Sequence, residues 1–435
     1  MLRRPPLLLS ALCLALLGEG CPRPAPVVAP PAEEPPPPPP PVISPEEEPF
    51  SPVPGPARAL GSPPFRLALV TDPGDRPRRV AELLRLNLER SGAFVLDGAS
   101  PPVATLRVGP RAAMLYLPHG VPGGPFERSF PLDGASRGAA ATARALASAL
   151  HSFYLNEPGL YFTRIAFISG TGADSRARHV FTVGFDGTGV RRVSGEDHPN
   201  LLPAWSRAGD LVYTAFVGGA PALVLRPAGG GAAQVLARQR DLNTGAAFSP
   251  DGRTIAVSQS VDGNTDVYLL DRRGNVTRRL TRHAGIDISP TWSPAGDEIA
   301  FISDREGSPQ VWLASLRDGS FRRLTSDGFY NQEPDWCPLP GSREIVYTHR
   351  YSGSRYEVHL LDADTGRSLR LTQDDGQNTG PSWSPDCRWI LYAAKGRGLW
   401  AITTDGRARR QLYAGAARSP AWSPRLAPHL APHLF

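Results

Sequence analysis

The sequence predicts an all-β six-bladed β-propeller preceded by a small α/β domain, and three observations carry that prediction. First, an aromatic residue followed by Ser or Cys recurs at Trp205, Phe248, Trp292, Trp336, Trp383 and Trp422, with spacings of 43, 44, 44, 47 and 39 residues. A period of that size with one buried aromatic per unit belongs to a propeller blade of four short strands. Second, each unit repeats the same order of strand-like runs and tight turns. Third, the repeat begins without its aromatic strand and finishes with one, as a closed ring requires.

Upstream of the repeat, residues 1–21 read as a signal peptide of possible lipoprotein type. Arg3-Arg4 precede an apolar core from Leu7 to Leu17, and small residues lead to Cys21. That core is too short for a permanent membrane span. A cysteine placed there is the candidate lipidation site. Leu17 lies one position further upstream than such signals favour, and Glu19 stands where a small residue is usual, so simple cleavage nearby is the alternative. Residues 22–64, with the unbroken run Pro35–Pro41, are expected to form a disordered tether. In polyproline II such a segment spans ~3.1 Å per residue, which gives a reach on the order of 100 Å.

The formal net charge is +6, but the basic residues are scattered and Lys395 is the only lysine. No basic stripe marks a nucleic-acid surface, so nucleic acid is excluded as an expected partner.

Residues 65–159 read as the α/β domain. Arg66–Thr71 is a strand-like run, and Arg78–Ser91 carries Val80, Leu83, Leu84 and Leu88 at helical spacing before the stop signal Gly92. Extended structure resumes at Phe94–Leu96, Thr105–Val108 and Ala113–Leu117. A second helix is expected over Ala139–Phe153, with Ala143, Leu146, Ala147 and Leu150 as its stripe. Gly134-Ala135-Ser136-Arg137-Gly138 matches the nucleophile-elbow pattern between a strand and a helix. Catalysis there needs an acid and then a histidine from the same domain, and too little of the domain follows. The segment reads instead as the start of the helix, with Asp133 or Ser136 near its N-cap.

Residues 160–425 read as the propeller and 426–435 as a tail. Asp251-Gly252 leads into Thr254–Val257, and Glu298–Ile302, Glu344–Tyr347 and Trp389–Tyr392 follow the corresponding turns. Second runs lie at Val267–Leu270, Val311–Ala314 and Val358–Leu361. Basic strands such as Arg278-Arg279-Leu280-Thr281 and Arg322-Arg323-Leu324-Thr325 come next. The first unit offers Thr163–Ser169, Val180–Phe185 and Val190–Ser194 only. The strand around Trp422 is therefore expected to complete it and close the ring, removing an open edge.

On these residues the chain resembles the TolB family, periplasmic components of the Tol–Pal envelope system. The resemblance covers residues 65–425. It rests on the Pro-x-Trp-Ser-Pro-Asp-Gly-type repeats and on Ser303-Asp304-Arg305-x-Gly307. The junction Glu157-Pro158-Gly159 … Thr163-Arg164-Ile165-Ala166-Phe167 and the segment Leu88-Glu89-Arg90-Ser91-Gly92-Ala93-Phe94 also carry it. It implies a periplasmic, non-catalytic scaffold that binds a peptidoglycan-associated lipoprotein, with no cofactor and no metal. The family's N-terminal recognition peptide has no match in the proline-rich segment, and the α/β domain is abbreviated between Thr105 and Phe130.

Partners of propellers meet loops at one mouth of the central channel. Five residues before each repeat aromatic stand Asn200, Asn243, Asp287, Asn331, Asn378 and Ala417. The five polar members are the candidate partner-binding residues, able to offer donors and acceptors to a peptide backbone. The alternative is that Asn and Asp serve tight turns there. A propeller enzyme, such as a polysaccharide lyase or a peptidase-related protein, is the competing function. It would need converging metal ligands or a following hydrolase domain. His179, His198, His283, His349 and His359 share no repeat position, and the sequence given stops at Phe435. Cys337 and Cys387 fall in consecutive units. Two buried thiols in place of Ser and Gly are expected, with a disulfide as the alternative that an oxidising compartment permits.

Overall fold

Each repeat aromatic closes the innermost strand of a four-stranded antiparallel blade in a computed structural model of the chain. The structure describes residues 65–426, apart from short stretches at 92–93, 97–103, 118–125, 133–137, 156–158, 172–173, 196–197, 238–241, 352 and 375. Cys21, the leader, the tether, the serine of the elbow-like motif and nearly all of the tail lie outside the described residues.

The inner strands are Asn200–Trp205, Leu242–Phe248, Asp287–Trp292, Tyr330–Trp336, Asn378–Trp383 and Arg418–Trp422, which define blades 1 to 6. In blade 2, Leu242–Phe248 pairs with Thr254–Val261, then Asn264–Asp271, then Val276–Arg279. Blades 1, 3, 4 and 5 repeat this order. In blade 6 the last inner strand pairs with Arg164–Thr171, followed by Asp174–Gly184 and Arg191–Arg192. The register sets Trp422 against Ile165 and Ala421 against Ala166. The chain's last and first propeller strands thus share one sheet, and inner strands touch in cyclic order around the channel.

Most of the second strands are buried on both faces. Ile255, Ala256 and Val257 are all fully buried. Ile255 and Val257 pack on Val212 and Leu223 of blade 1, while Ala256 packs on Ile299 and Phe301 of blade 3. A blade held between two others has no solvent face, so continuous apolar runs replace alternation.

A left-handed residue interrupts every inner strand. Leu202, Gly245, Ser289, Glu333, Gly380 and Ser419 have φ between 45° and 62°, and each strand's register shifts there. Five of the six are followed by proline, at Pro203, Pro290, Pro334, Pro381 and Pro420. The inner strand's free edge faces the channel, so a missing N–H costs no ladder bond.

The α/β domain contains β1 (Phe65–Thr71), α1 (Asp75–Ser91), β2 (Phe94–Leu96), β3 (Ala104–Val108), β4 (Ala112–Leu117), β5 (Phe126–Pro131) and α2 (Ala139–Leu155). Its sheet runs β2-β1-β3-β4-β5. Helix α1 begins three residues before the expected start. Asp75 suits the positive end of the helix, and Pro77 tolerates the first turn. Strand β5 was not anticipated: among its described side chains Glu127, Arg128 and Ser129 are exposed and Phe130 is buried, so its middle carries no alternation.

The α/β domain and the propeller belong to one compact unit, and the helices help explain why. Arg144 on α2 donates to Asp186 in the last hairpin of blade 6 at 3.3 Å, with both side chains buried. The Tyr161 ring lies edge-on to His151 of α2 and to Phe185 of blade 6.

The expectation of two free thiols is overturned. Cys337 and Cys387 form a disulfide with Cα atoms 5.8 Å apart. Cys337 follows the inner strand of blade 4, and Cys387 sits in the turn after the inner strand of blade 5. Neighbouring blades bring these turns side by side, which sequence separation alone does not disclose.

Candidate functional site

Each column residue stands at or next to the start of an inner strand, at the end of the ring remote from the α/β domain. The five polar members are brought to one structural level, but their side chains point between blades. Asn200, Asn243, Asp287, Asn331 and Asn378 are all fully buried, and each reaches back to the preceding blade or its connector.

The clearest arrangement is in blade 3. Gln310, opening the third strand, accepts from Thr325 at 2.7 Å and from Asn331 of blade 4 at 2.7 Å. Asn331 also donates to Thr325 Oγ1 and to the Asp327 carbonyl. Blade 4 repeats this with Glu357, which accepts from Thr372, from Arg370 at 3.0 Å and from Asn378 of blade 5 at 3.1 Å. In blade 2, Asp266 accepts from Thr281 at 3.1 Å and from Arg279 at 2.6 Å. The same threonines accept the N–H groups of Val267, Val311 and Val358. Asn200 donates to the Arg178 and His198 carbonyls, and Asn243 donates to the Pro221 carbonyl while accepting from Gln259. The column is therefore a ring of ties between consecutive blades.

The acidic member has its own cation. Asp287 meets the Arg305 guanidinium at 3.0 Å, and Arg305 lies over the Trp312 ring at 4.7 Å. Burial still raises the Asp287 carboxyl above its ordinary value, against hydrogen bonds from Ser303 and Thr281 and the charge of Arg305. Nearby Asp374 shows the opposite balance. Burial opposes its charge, but Asn378, Arg397 and Arg409 hold it well below the usual carboxylate range.

A second tier of ties runs around the channel. The residue before each repeat aromatic accepts the N–H of the next one in three cases: Thr291 from Trp336, Asp335 from Trp383 and Ser382 from Trp422. Burial pushes the Asp335 carboxyl up to about 6, against those hydrogen bonds. Glu333, at the bulge of blade 4, accepts the Gly380 N–H at 2.7 Å and the Thr348 hydroxyl at 3.1 Å. Burial raises its pKa as well.

Around these ties the connectors and second hairpins of the blades face outward. Phe329, in the connector leading into blade 4, is 72% exposed. Beside it the blade 4 hairpin carries Tyr351 under Arg355 and Tyr356 under Arg350, with guanidinium-to-ring distances of 5.3 and 5.5 Å.

Sequence reasoning missed two groups here. The tie partners are marked by a polar residue before Val and a threonine 15 positions later, at Asp266/Thr281, Gln310/Thr325 and Glu357/Thr372. That signal was present in the repeat. His349 and His359 share no repeat position, yet adjacent strands stack their rings 4.5 Å apart.

The model of the TolB beta propeller domain matches residues 155–426. A Tol-Pal system protein TolB from Desulfosudis oleivorans is 36% identical over 122 residues, which is 28% of this chain and 27% of that protein. Another, from Nitrosospira multiformis, is 43% identical over 81 residues, 18% of each chain. The matched stretches thus span about a quarter or less of these relatives' length. The crystal structure of TolB from Acinetobacter baumannii superposes with a TM-score of 0.70 at 26% identity, over 83% of this chain and 97% of that one.

Proposed function

Because the chain belongs to the TolB β-propeller family, we propose that it is a non-catalytic scaffold of the bacterial envelope that binds protein partners at the column end of its propeller. The observation that carries this reading is the division of the two ends. The α/β domain packs on the hairpin of Asp186 and Thr188, whereas the exposed Phe329 over the column stands beside the half-buried Tyr351, Tyr356, Arg350 and Arg355. Tyr, Phe and Arg in one patch are the residue types that anchor protein interfaces.

The five polar column residues act, in this proposal, by fixing the loops that a partner meets, with their own amides committed between blades. The partner is an envelope protein, and the family points to a peptidoglycan-associated lipoprotein. Calorimetric titration of that lipoprotein into the full-length protein tests the site. Phe329→Ser should weaken binding about tenfold or more, the loss of ~1.4 kcal/mol or above from an exposed anchor. Val276→Ser, on an outer strand and 48% exposed, should leave affinity unchanged. Equal affinity for all three proteins would remove the column end as the binding site.

We further propose that the mature protein sits in the periplasm and is held to a membrane through acylated Cys21, with residues 22–64 as the spacer. No helix among the described residues is long and apolar enough to cross a membrane. Intact protein should sediment with membranes, and Cys21→Ser should shift it to the soluble fraction. A mature N-terminus found elsewhere and unmodified by mass spectrometry would reject the anchor.

A further inference from the structure

Beneath the connector that presents Phe329 lies a cluster of titratable and aromatic side chains in blade 4. His349 is on the second strand, Glu344–Arg350, and His359 on the third, Tyr356–Asp362. Their rings stack with centroids 4.5 Å apart and planes inclined by 24°. Both residues are buried, at 4% and 8% exposure. His359 is held at both ring nitrogens, Nδ1 at 3.0 Å from Ser368 Oγ and Nε2 at 3.0 Å from the Tyr351 hydroxyl. His349 has Tyr351 edge-on at 4.4 Å, and its Nδ1 is buried without a hydrogen-bond partner.

The connector rests on the His349 ring itself. A Cβ placed on Gly328 would lie 2.3 Å from Cε1 of His349, and Gly328 has φ 84°. Only glycine permits this approach. The imidazole is therefore the floor under the backbone of Gly328, and Phe329 is the next residue along.

The groups around the stack favour two neutral rings. Arg370 on the outer strand and Arg355 in the hairpin are positive. Glu357, the cross-strand partner of His349, is already engaged by Arg370, Thr372 and Asn378. Asn331, cross-strand to His349 on the inner strand, is neutral, as are Tyr347, Tyr351 and Ser368. Asp327 lies on the connector, and its charge is the one that favours a protonated His349. Two buried imidazoles in ring contact cannot hold a proton without losing solvation and meeting Arg370.

We propose that the stacked His349–His359 pair is an acid-sensitive latch, which holds connector 326–329 down when neutral and releases it, with Phe329, on taking up a proton. Burial, with the charges of His349 and Arg370 added, pushes His359 down to about 3, and burial also lowers His349. Both rings are thus depressed in the closed state. A released state with solvated rings binds protons near the ordinary value of ~6.5. Release is disfavoured above that pH and gains up to about tenfold in population per pH unit below it, for one proton taken up. The latch concerns the connector alone and stands whether or not a partner docks there.

Blade 2 supplies the control. There Gln259 occupies the position cross-strand to Asn243 that His349 occupies beside Asn331. Hydrogen exchange of the full-length protein, followed by mass spectrometry at pH 7.5 and pH 5 and corrected for intrinsic rates, tests the latch. In the wild type, protection of the peptide containing residues 326–331 should fall several-fold at pH 5 while that of blades 1 and 2 holds. His349→Gln should abolish the pH difference. Gly328→Ala, which pushes the connector off the ring, should show the low protection already at pH 7.5. Equal protection at both pH values in the wild type, an undiminished pH response in His349→Gln, or loss of protection throughout the propeller at once would overturn the latch. The wild-type comparison decides even where a variant does not fold.

Discussion

Deletion of Ser419 onward is expected to abolish cooperative folding of the propeller rather than trim its edge. The reason lies in what the last inner strand holds. Trp422 donates its ring N–H to Thr163 at 2.9 Å and its backbone N–H to Ser382 at 3.0 Å. Ser423 and Arg164 exchange hydrogen bonds, with Ser423 N to Arg164 O at 2.8 Å and Arg164 N to Ser423 Oγ at 2.8 Å. Ala421 accepts from the Trp205 ring of blade 1, and Leu426 donates to Phe162. Trp422 is also buried against Phe185. Loss of the tryptophan side chain alone, in Trp422→Ala, should cost ~3–5 kcal/mol. Removing the strand as well opens two blade interfaces and leaves the Arg164–Thr171 edge unpaired. That combined loss is comparable to the whole stability of a typical domain, ~5–15 kcal/mol. Calorimetry should show a transition lowered by tens of degrees or absent. A truncated protein that melts like the full chain would rule out this closure.

Closure was legible because it follows from counting: a repeat that starts one strand short and ends one strand long has a single simple solution. Blade number and the inner-strand aromatics came from spacing, which the hairpin geometry imposes on the chain directly. The orientation of the column was harder. A recurring Asn says that its position matters in every blade, but not whether the side chain faces the channel or the next blade. Its partners decide that, and Gln310 and Glu357 lie 21 residues away on another blade. The bulges at Leu202, Ser289 and Glu333 complicate the matter further, since a left-handed residue resets the alternation after it. The histidine pair was illegible for another reason. Stacking of His349 on His359 depends on the register of one hairpin, Tyr347 against His359, and no other blade repeats it. Strand β5 escaped notice because its middle, Glu127-Arg128-Ser129, is polar and exposed, leaving periodicity nothing to register.

Reduction of the Cys337–Cys387 bridge is expected to destabilise the propeller substantially, with a pattern that separates the bond from the residues carrying it. The bridge closes a 50-residue separation, for which the chain-entropy model gives about 4 kcal/mol. In a protein of this size that corresponds to a fall in Tm on the order of 10 °C. The cost of having cysteine there is local. Cys387 adopts φ 52°, at the turn position that Gly252 and Gly296 fill in blades 2 and 3 with φ 70° and 75°. A non-glycine residue in that conformation is strained by ~1–2 kcal/mol. Cys337→Ser with Cys387→Ser keeps the strain and loses the bridge, so it should match the reduced wild type. Cys337→Ser with Cys387→Gly restores the residues that other blades use and should recover about 1 kcal/mol of the loss. Scanning calorimetry of the three proteins, with and without reductant, reads both effects. If reductant shifts the wild-type Tm by no more than it shifts the Ser/Gly variant, the bridge does not stabilise the ring. A Ser/Ser variant as stable as Ser/Gly would show instead that the left-handed turn carries no strain at Cys387.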